Sequence, residues 1–142
     1  RFRVQDENKC DSPWLIAPLR DLLGHEVSGG HACDRHVGKT IQDLQSRLLA
    51  EPNLAVVSSF WTIECATAAV CHLTMSRLDT IMRWSCGTSR RVTIEGVVPV
   101  KSSIGYAIIR GNDRMAWCQR ARMVLERDIG IDFHIYTAFP VL

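Results

Sequence analysis

The hydrophobic period of this 142-residue chain changes at Gly87, and that change limits its architecture more than any other feature. Before it, apolar residues recur at helical spacing; after it, they alternate. Val92 and Ile94, then Ile104 to Ile109, then Met123 to Leu125, then Phe133 to Phe139 read as four strands. Gly111-Asn112-Asp113 and Asp128-Ile129-Gly130 are the turn signals between the last three. Upstream, Ser12-Pro13 looks like an N-cap with proline at the first helical position. That helix runs through Trp14, Leu15, Leu19, Leu22 and Leu23 and stops at Gly24. Thr40 caps a second helix, with Asp43 in a capping-box relation to it, Ile41, Leu44 and Leu48 on its inner stripe, and Glu51-Pro52-Asn53 at its end. Val56 to Phe60 reads as a short strand and Thr62 to His72 as an alanine-rich helix. Thr74 to Trp84 is its continuation or a further helix. Helices first and strands afterwards imply an α+β domain, with helices packed on an antiparallel sheet.

Composition agrees with one globular domain: 46% of residues are hydrophobic and 23% charged. No run reaches the roughly 18 apolar residues of a membrane span. The start, Arg1-Phe2-Arg3-Val4-Gln5-Asp6-Glu7-Asn8, is polar and lacks the apolar core of a secretory signal. It also lacks an initial methionine, as a piece cut from a longer protein would. A formal charge of +2 excludes the strong basic field of an indiscriminate nucleic-acid binder. Arg83, Arg90, Arg91 and Lys101 form a basic run interrupted by Glu95, fit for local nucleic-acid contact or for an ordinary solvated surface.

The six cysteines (Cys10, Cys33, Cys65, Cys71, Cys86 and Cys118) contain no C-x-x-C pair, which argues against a zinc ribbon or a thioredoxin-like site. Reduced, partly buried thiols are the expectation, and one or two disulfides the alternative. Cys65 and Cys71 fall on different faces of one helix and are not expected to pair with each other.

Usable chemistry concentrates in Gly29-Gly30-His31-Ala32-Cys33-Asp34-Arg35-His36-Val37-Gly38-Lys39-Thr40 and in Arg47 on the helix that follows. His36 stands in a loop just before the helix cap, where backbone N–H groups favour an anion. Arg47 lies two turns along the helix and returns near the azimuth of Thr40. A histidine that titrates near neutral pH and an arginine that can fork onto a phosphate suit transfer at phosphorus. His36 would move the proton and Arg47 would stabilise the charge. Taken by spacing alone, the same residues also fit structural or solvated roles.

His31 is either a partner acid or base or a histidine supporting the loop backbone. Lys39 either meets a phosphate or stays in solvent. His25 and His72 have no companion pattern. The absence of H-E-x-x-H, of clustered carboxylates and of a glycine-rich phosphate loop argues against metal-dependent and nucleoside-triphosphate chemistry, and no cofactor is called for. On the last strand, alternation puts Ile135, Thr137 and Phe139 on one face and His134, Tyr136 and Ala138 on the other.

The order Gly-Gly-His-x-x-x-x-His-Val-Gly-Lys-Thr, then Arg-Leu-Leu on the helix, then Val-Ser-Ser-Phe, then a terminal Tyr-Thr-Ala-Phe-Pro resembles one known group. These are the bacterial RNase A-like toxin domains at the C-termini of contact-dependent growth inhibition proteins (CdiA) and related polymorphic toxins. The resemblance runs from about Gly29 to Pro140, with residues 1–28 as a helical lead-in to a single domain of residues 1–142. It implies a kidney-shaped RNase A-like fold with a curved sheet. It further implies metal-independent RNA cleavage, in which the 2′-hydroxyl attacks phosphorus and leaves a 2′,3′-cyclic phosphate. The family's histidine, arginine, threonine and tyrosine match His36, Arg47, Thr137 and Phe139, so the tyrosine hydroxyl is lost at Phe139. His31 and Tyr136 are candidates to compensate, the latter if a bulge brings it to the face of Thr137.

The implied partners are an RNA substrate and a cognate immunity protein, for a monomeric domain of a secreted or cell-surface toxin acting in the target cell's cytoplasm. A tRNA-specific nuclease toxin and a non-catalytic RNA- or protein-binding module on the same fold are the competing readings.

Overall fold

The computed structural model describes residues 35–112, 114–127 and 133–142. The expected helix between Ser12 and Gly24, the loop at Gly29-Gly30, His31, Asp113 and the Asp128-Ile129-Gly130 turn lie outside them. Within them are three helices, α1 (Ile41–Ala50), α2 (Ile63–Ser76) and α3 (Leu78–Ser85). The strands are β1 (Val56–Phe60), β2 (Arg91–Val97), β3 (Gly105–Ile109), β4 (Met115–Cys118), β5 (Arg120–Arg127) and β6 (Phe133–Val141). They form two antiparallel sheets, in the orders β1-β3-β4 and β2-β5-β6. The architecture is α+β, as the change of period at Gly87 implies. The strand half holds one strand more than the four expected, because Met115–Cys118 pairs with β3.

Local chemistry explains the helix boundaries. The Thr40 hydroxyl accepts from the Asp43 N–H at 3.1 Å, and the Asp43 carboxylate accepts from the Thr40 N–H at 2.9 Å. This reciprocal box satisfies donors that the first turn of α1 cannot. The Thr62 hydroxyl caps α2 through the Cys65 N–H. The segment from Thr62 to Trp84 is two helices, broken at Arg77, whose φ of -122° and ψ of 28° leave helical geometry.

Two apolar clusters result. The larger joins α2, α3 and one face of β2-β5-β6, with Phe60, Leu73, Ile81, Met123, Leu125 and Ile135 essentially inaccessible. The smaller packs α1 on the β1-β3-β4 sheet through Leu44, Leu48, Val57, Tyr106 and Ile108. The sheets meet where β1 and β3 pack against β6. There the Ser58 hydroxyl donates to the Pro140 carbonyl at 2.7 Å. Gly105 makes this junction possible: a Cβ on it would collide with the Ser59 carbonyl and the Pro140 ring.

Cysteine chemistry departs from the expectation of reduced thiols, since Cys71 is disulfide-bonded. Cys65, Cys86 and Cys118 are free thiols, so its partner lies outside the described residues. Cys65 and Cys71 do not pair with each other, as their helix faces require. Burial pushes the Cys118 thiol up to about 11, far from nucleophilic use. Among the described residues, no helix is long and apolar enough to cross a membrane.

Candidate active site

His36 belongs to a helical turn with Arg35 rather than to the expected loop. The chain leaves that turn at once: Val37 bridges to Phe60, and Gly38 takes φ 65°, a left-handed value that suits glycine. The Gly38 N–H donates to the Phe60 carbonyl at 3.0 Å and the Lys39 N–H to the Ser59 hydroxyl at 3.0 Å. These bonds fasten the segment along β1 and bring the His36 Nδ1 to 3.3 Å from the Ser58 carbonyl. The carbonyl is an acceptor, so a bond there requires the proton on Nδ1 and turns Nε2 into the basic nitrogen of the neutral ring. The His36 residue is 6% exposed. Its ring packs on Phe139 of β6, centroid to centroid 5.1 Å.

Arg47 approaches from α1. Its Nε donates to Glu51 Oε2 at 2.9 Å, an i,i+4 pair at the helix end. The Arg47 bond, and then the charges of Arg47, Arg35 and His36, hold the Glu51 carboxyl below the usual glutamate range. Glu51 therefore lies within electrostatic reach of both the histidine and the arginine. The helix end is itself fixed by Arg110, whose guanidinium donates to the carbonyls of Leu48 at 2.7 Å, Glu51 at 3.0 Å and Leu54 at 2.8 Å. With Nε committed to Glu51, the outer nitrogens of the Arg47 fork remain for an anion.

The other wall is the face of β2-β5-β6 that points away from the larger core. Cross-strand register orders it in ranks. Arg91, Glu126 and His134 form the first, Thr93, Val124 and Thr137 the second, Glu95, Arg122 and Phe139 the third. A bulge between Val124 and Leu125 shifts the register at Tyr136 and resets the alternation of β6. Ile135 and Ala138, three residues apart, thus both face the core, and the expected grouping of Ile135 with Thr137 and Phe139 does not hold. Tyr136 joins the outer face, where the Arg91 guanidinium lies 4.0 Å from its ring centroid.

On this face each of two carboxylates, Glu126 and Glu95, is shared by two arginines. Glu126 accepts from Arg91 at 2.6 Å, lies 3.6 Å from Arg90 and lies 3.8 Å from His134. Burial works to raise the Glu126 carboxyl, but the Arg91 bond and the charges of Arg90, Arg91 and His134 outweigh it and hold the group low. Glu95 is held low by Arg122 first and then by Arg120. The Arg122 guanidinium also lies 5.6 Å from the Phe139 ring. Thr137 is 7% exposed, and its hydroxyl has no hydrogen-bond partner among the described residues. A buried hydroxyl so placed costs about 1–3 kcal/mol that a ligand oxygen could recover.

The structure thus brings His36 and Phe139 into contact, pairs Arg47 with Glu51, and puts Thr137 one rank from Phe139. The Lys39 carbonyl accepts from the Tyr106 hydroxyl, and the Lys39 charge helps to hold the Asp43 carboxyl low. His31 is outside the described residues. Of the basic run, Arg90 and Arg91 serve Glu126. Sequence patterns do not single out Arg110 or Arg122, and they place Glu51 only at a helix end, although its i,i+4 spacing from Arg47 is visible there. Among the described residues, no cluster of three or more His, Cys, Asp or Glu is arranged to hold a metal ion.

Comparison with known proteins points one way. A family model described as "Bacterial CdiA-CT RNAse A domain" matches residues 30–140. The solved structure titled "Crystal structure of CdiA-CT/CdiI complex from Y. kristensenii 33638" is similar over 80% of this chain and 100% of that one. Its identity is 28% and the TM-score 0.70. No curated protein matches.

Proposed function

The chain belongs to the bacterial CdiA-CT RNase A domain family, and from that premise we propose that it is a metal-independent endoribonuclease that cleaves RNA by internal transesterification. Membership makes it a toxin domain of the RNase A-like kind, and such a domain is delivered from a secreted protein. The finer reading concerns mechanism. The RNA 2′-oxygen bonds to the adjacent phosphorus as the bond to the 5′-oxygen breaks, leaving a 2′,3′-cyclic phosphate and a 5′-hydroxyl. The 2′-hydroxyl gives its proton to His36, and the departing 5′-oxygen takes one up from solvent water.

The observation that carries this reading is the placement of His36: almost wholly buried, beside a backbone carbonyl at Nδ1 and against Phe139. With the proton on Nδ1, Nε2 is the ring nitrogen that can accept a proton. Arg47 would meet the non-bridging oxygens, where charge grows in the phosphorane, through the part of its fork that Glu51 leaves open. The Thr137 hydroxyl would hydrogen-bond a phosphate oxygen or a base edge. We assign the substrate as RNA of the target cell's cytoplasm and the inhibitor as a cognate immunity protein. The relative from Y. kristensenii, crystallised as a CdiA-CT/CdiI complex, supports the second assignment.

The test is cleavage of total RNA in the presence of a chelator by wild type and by His36→Ala. The wild type should yield 2′,3′-cyclic ends. The variant should lose at least about a hundredfold in rate while keeping its circular dichroism. A folded His36→Ala protein that still cuts RNA at the wild-type rate would refute the assignment. Intact RNA with the wild type would favour the non-catalytic binding module.

A further inference from the structure

Beyond the His36 site, the β2-β5-β6 face continues into a fourth rank formed by Val97, Arg120 and Val141. There a cavity of about 640 Å³ opens, walled by that rank together with Lys101, Trp117 and Leu142. We propose that this cavity is a nucleotide subsite for an RNA residue one position beyond the two joined by the scissile linkage, with Trp117 as the stacking platform and Lys101 and Arg120 as phosphate contacts. The inference rests on the ribonuclease reading above and adds to it a place for the substrate beyond the reacting atoms.

Position is the first support. Phe139 and Val141 are successive outward residues of β6, about 6.8 Å apart along an extended strand. A polynucleotide chain lying at His36 and Phe139 reaches the cavity by continuing along the same strand. The two places also share a charge: Glu95 accepts from Arg122 at 2.8 Å, in the third rank, and from Arg120 at 3.2 Å, in the fourth.

Trp117 supplies the second support. It is 66% exposed, an unusual state for so large an aromatic side chain. It is nevertheless anchored, edge to face with Trp61 at 6.2 Å and 85°. Trp61 in turn stacks on Tyr106 at 4.8 Å and donates from Nε1 to the Ser103 hydroxyl at 2.7 Å. A fixed and exposed indole is a platform on which any base can stack.

Charge is the third. The walls include two cationic side chains, Lys101 and Arg120, the second also bound to Glu95, and no acidic side chain. That balance fits a phosphodiester chain better than it fits an acidic protein helix, whose apolar residues would meet only part of the wall. Two local contacts on a chain of formal charge +2 do not make a broad RNA binder, but they suit RNA held at a single place.

The test compares a dinucleotide with a hexanucleotide RNA, cleaved by wild type, Trp117→Ala and Trp117→Phe. Trp117→Ala should lower kcat/KM on the hexanucleotide about tenfold, leave the dinucleotide unaffected, and be largely rescued in Trp117→Phe. Equal loss on both substrates, or loss on neither, overturns the proposal, as does a Trp117→Ala effect confined to binding of the immunity protein. Should wild type cleave neither RNA, the ribonuclease reading fails by itself. Quenching of wild-type fluorescence by a non-cleavable 2′-O-methyl hexanucleotide, weaker in Trp117→Phe, would then still support the subsite, and its absence would refute it.

Discussion

His36 and Phe139 pack ring against ring across the junction of the two sheets, their planes tilted by 35°. One comes from the turn before α1 and the other from the last strand, so their contact fixes the relation of the two halves of the site. The ring at position 139 orients the histidine but offers it no proton.

Adding a hydroxyl to that ring should therefore be felt in the chemical step. Phe139→Tyr keeps the packing and restores the oxygen that the family resemblance expects. Single-turnover cleavage of a defined oligonucleotide should rise by roughly ten- to a hundredfold, with the melting temperature nearly unchanged. An unaltered rate in a folded variant would show that another group already supplies the proton.

The Glu95 carboxylate sets an acid limit on stability. Its folded titration lies below the ordinary range because Arg122 and Arg120 bind its charged form. The stability it contributes is therefore complete above about pH 4.3 and is lost as pH falls through the lower folded value. Glu95→Gln should flatten the acid limb of a stability-versus-pH curve measured by urea unfolding. The pair is partly exposed, so the difference near neutral pH should be below about 1 kcal/mol.

Gly105→Ala tests the junction between the sheets. Its new Cβ has no room against the Ser59 carbonyl and the Pro140 ring, so either β3 or β6 must give way. A loss of about 1–3 kcal/mol is expected, read as a melting temperature lower by several degrees. Cleavage should fall further than stability alone requires, because the shift reaches Phe139 directly from Pro140. Thermal unfolding and single-turnover rates measured on the same sample separate the two effects.

Legibility followed the range of the forces involved. The Thr40–Asp43 box could be read because both partners and their target donors lie within one turn. The strands at Val92 and Ile94 and from Phe133 to Phe139 could be read because one face of each is buried. β4 could not: Met115-Ala116-Trp117-Cys118 has no clear alternation, and it is an edge strand held mainly by its pairing with β3. Nor could the bulge at Tyr136, which depends on how β6 registers against β5. The sequence reading allowed for a bulge there but had no local residue to require it. The match of His36, Arg47, Thr137 and Phe139 came from the ordered motifs of a family, while Glu51, Arg110 and Arg122 come from tertiary contacts. Cys71 shows the same limit, since composition could not decide between a thiol and a disulfide.

The Ser58–Pro140 hydrogen bond spans 82 positions of the chain, and the His36–Phe139 contact is longer still. Both are made by the last strand. The turn before α1 can therefore meet its ring partner only after the whole domain has been synthesised, when β6 is laid beside β5.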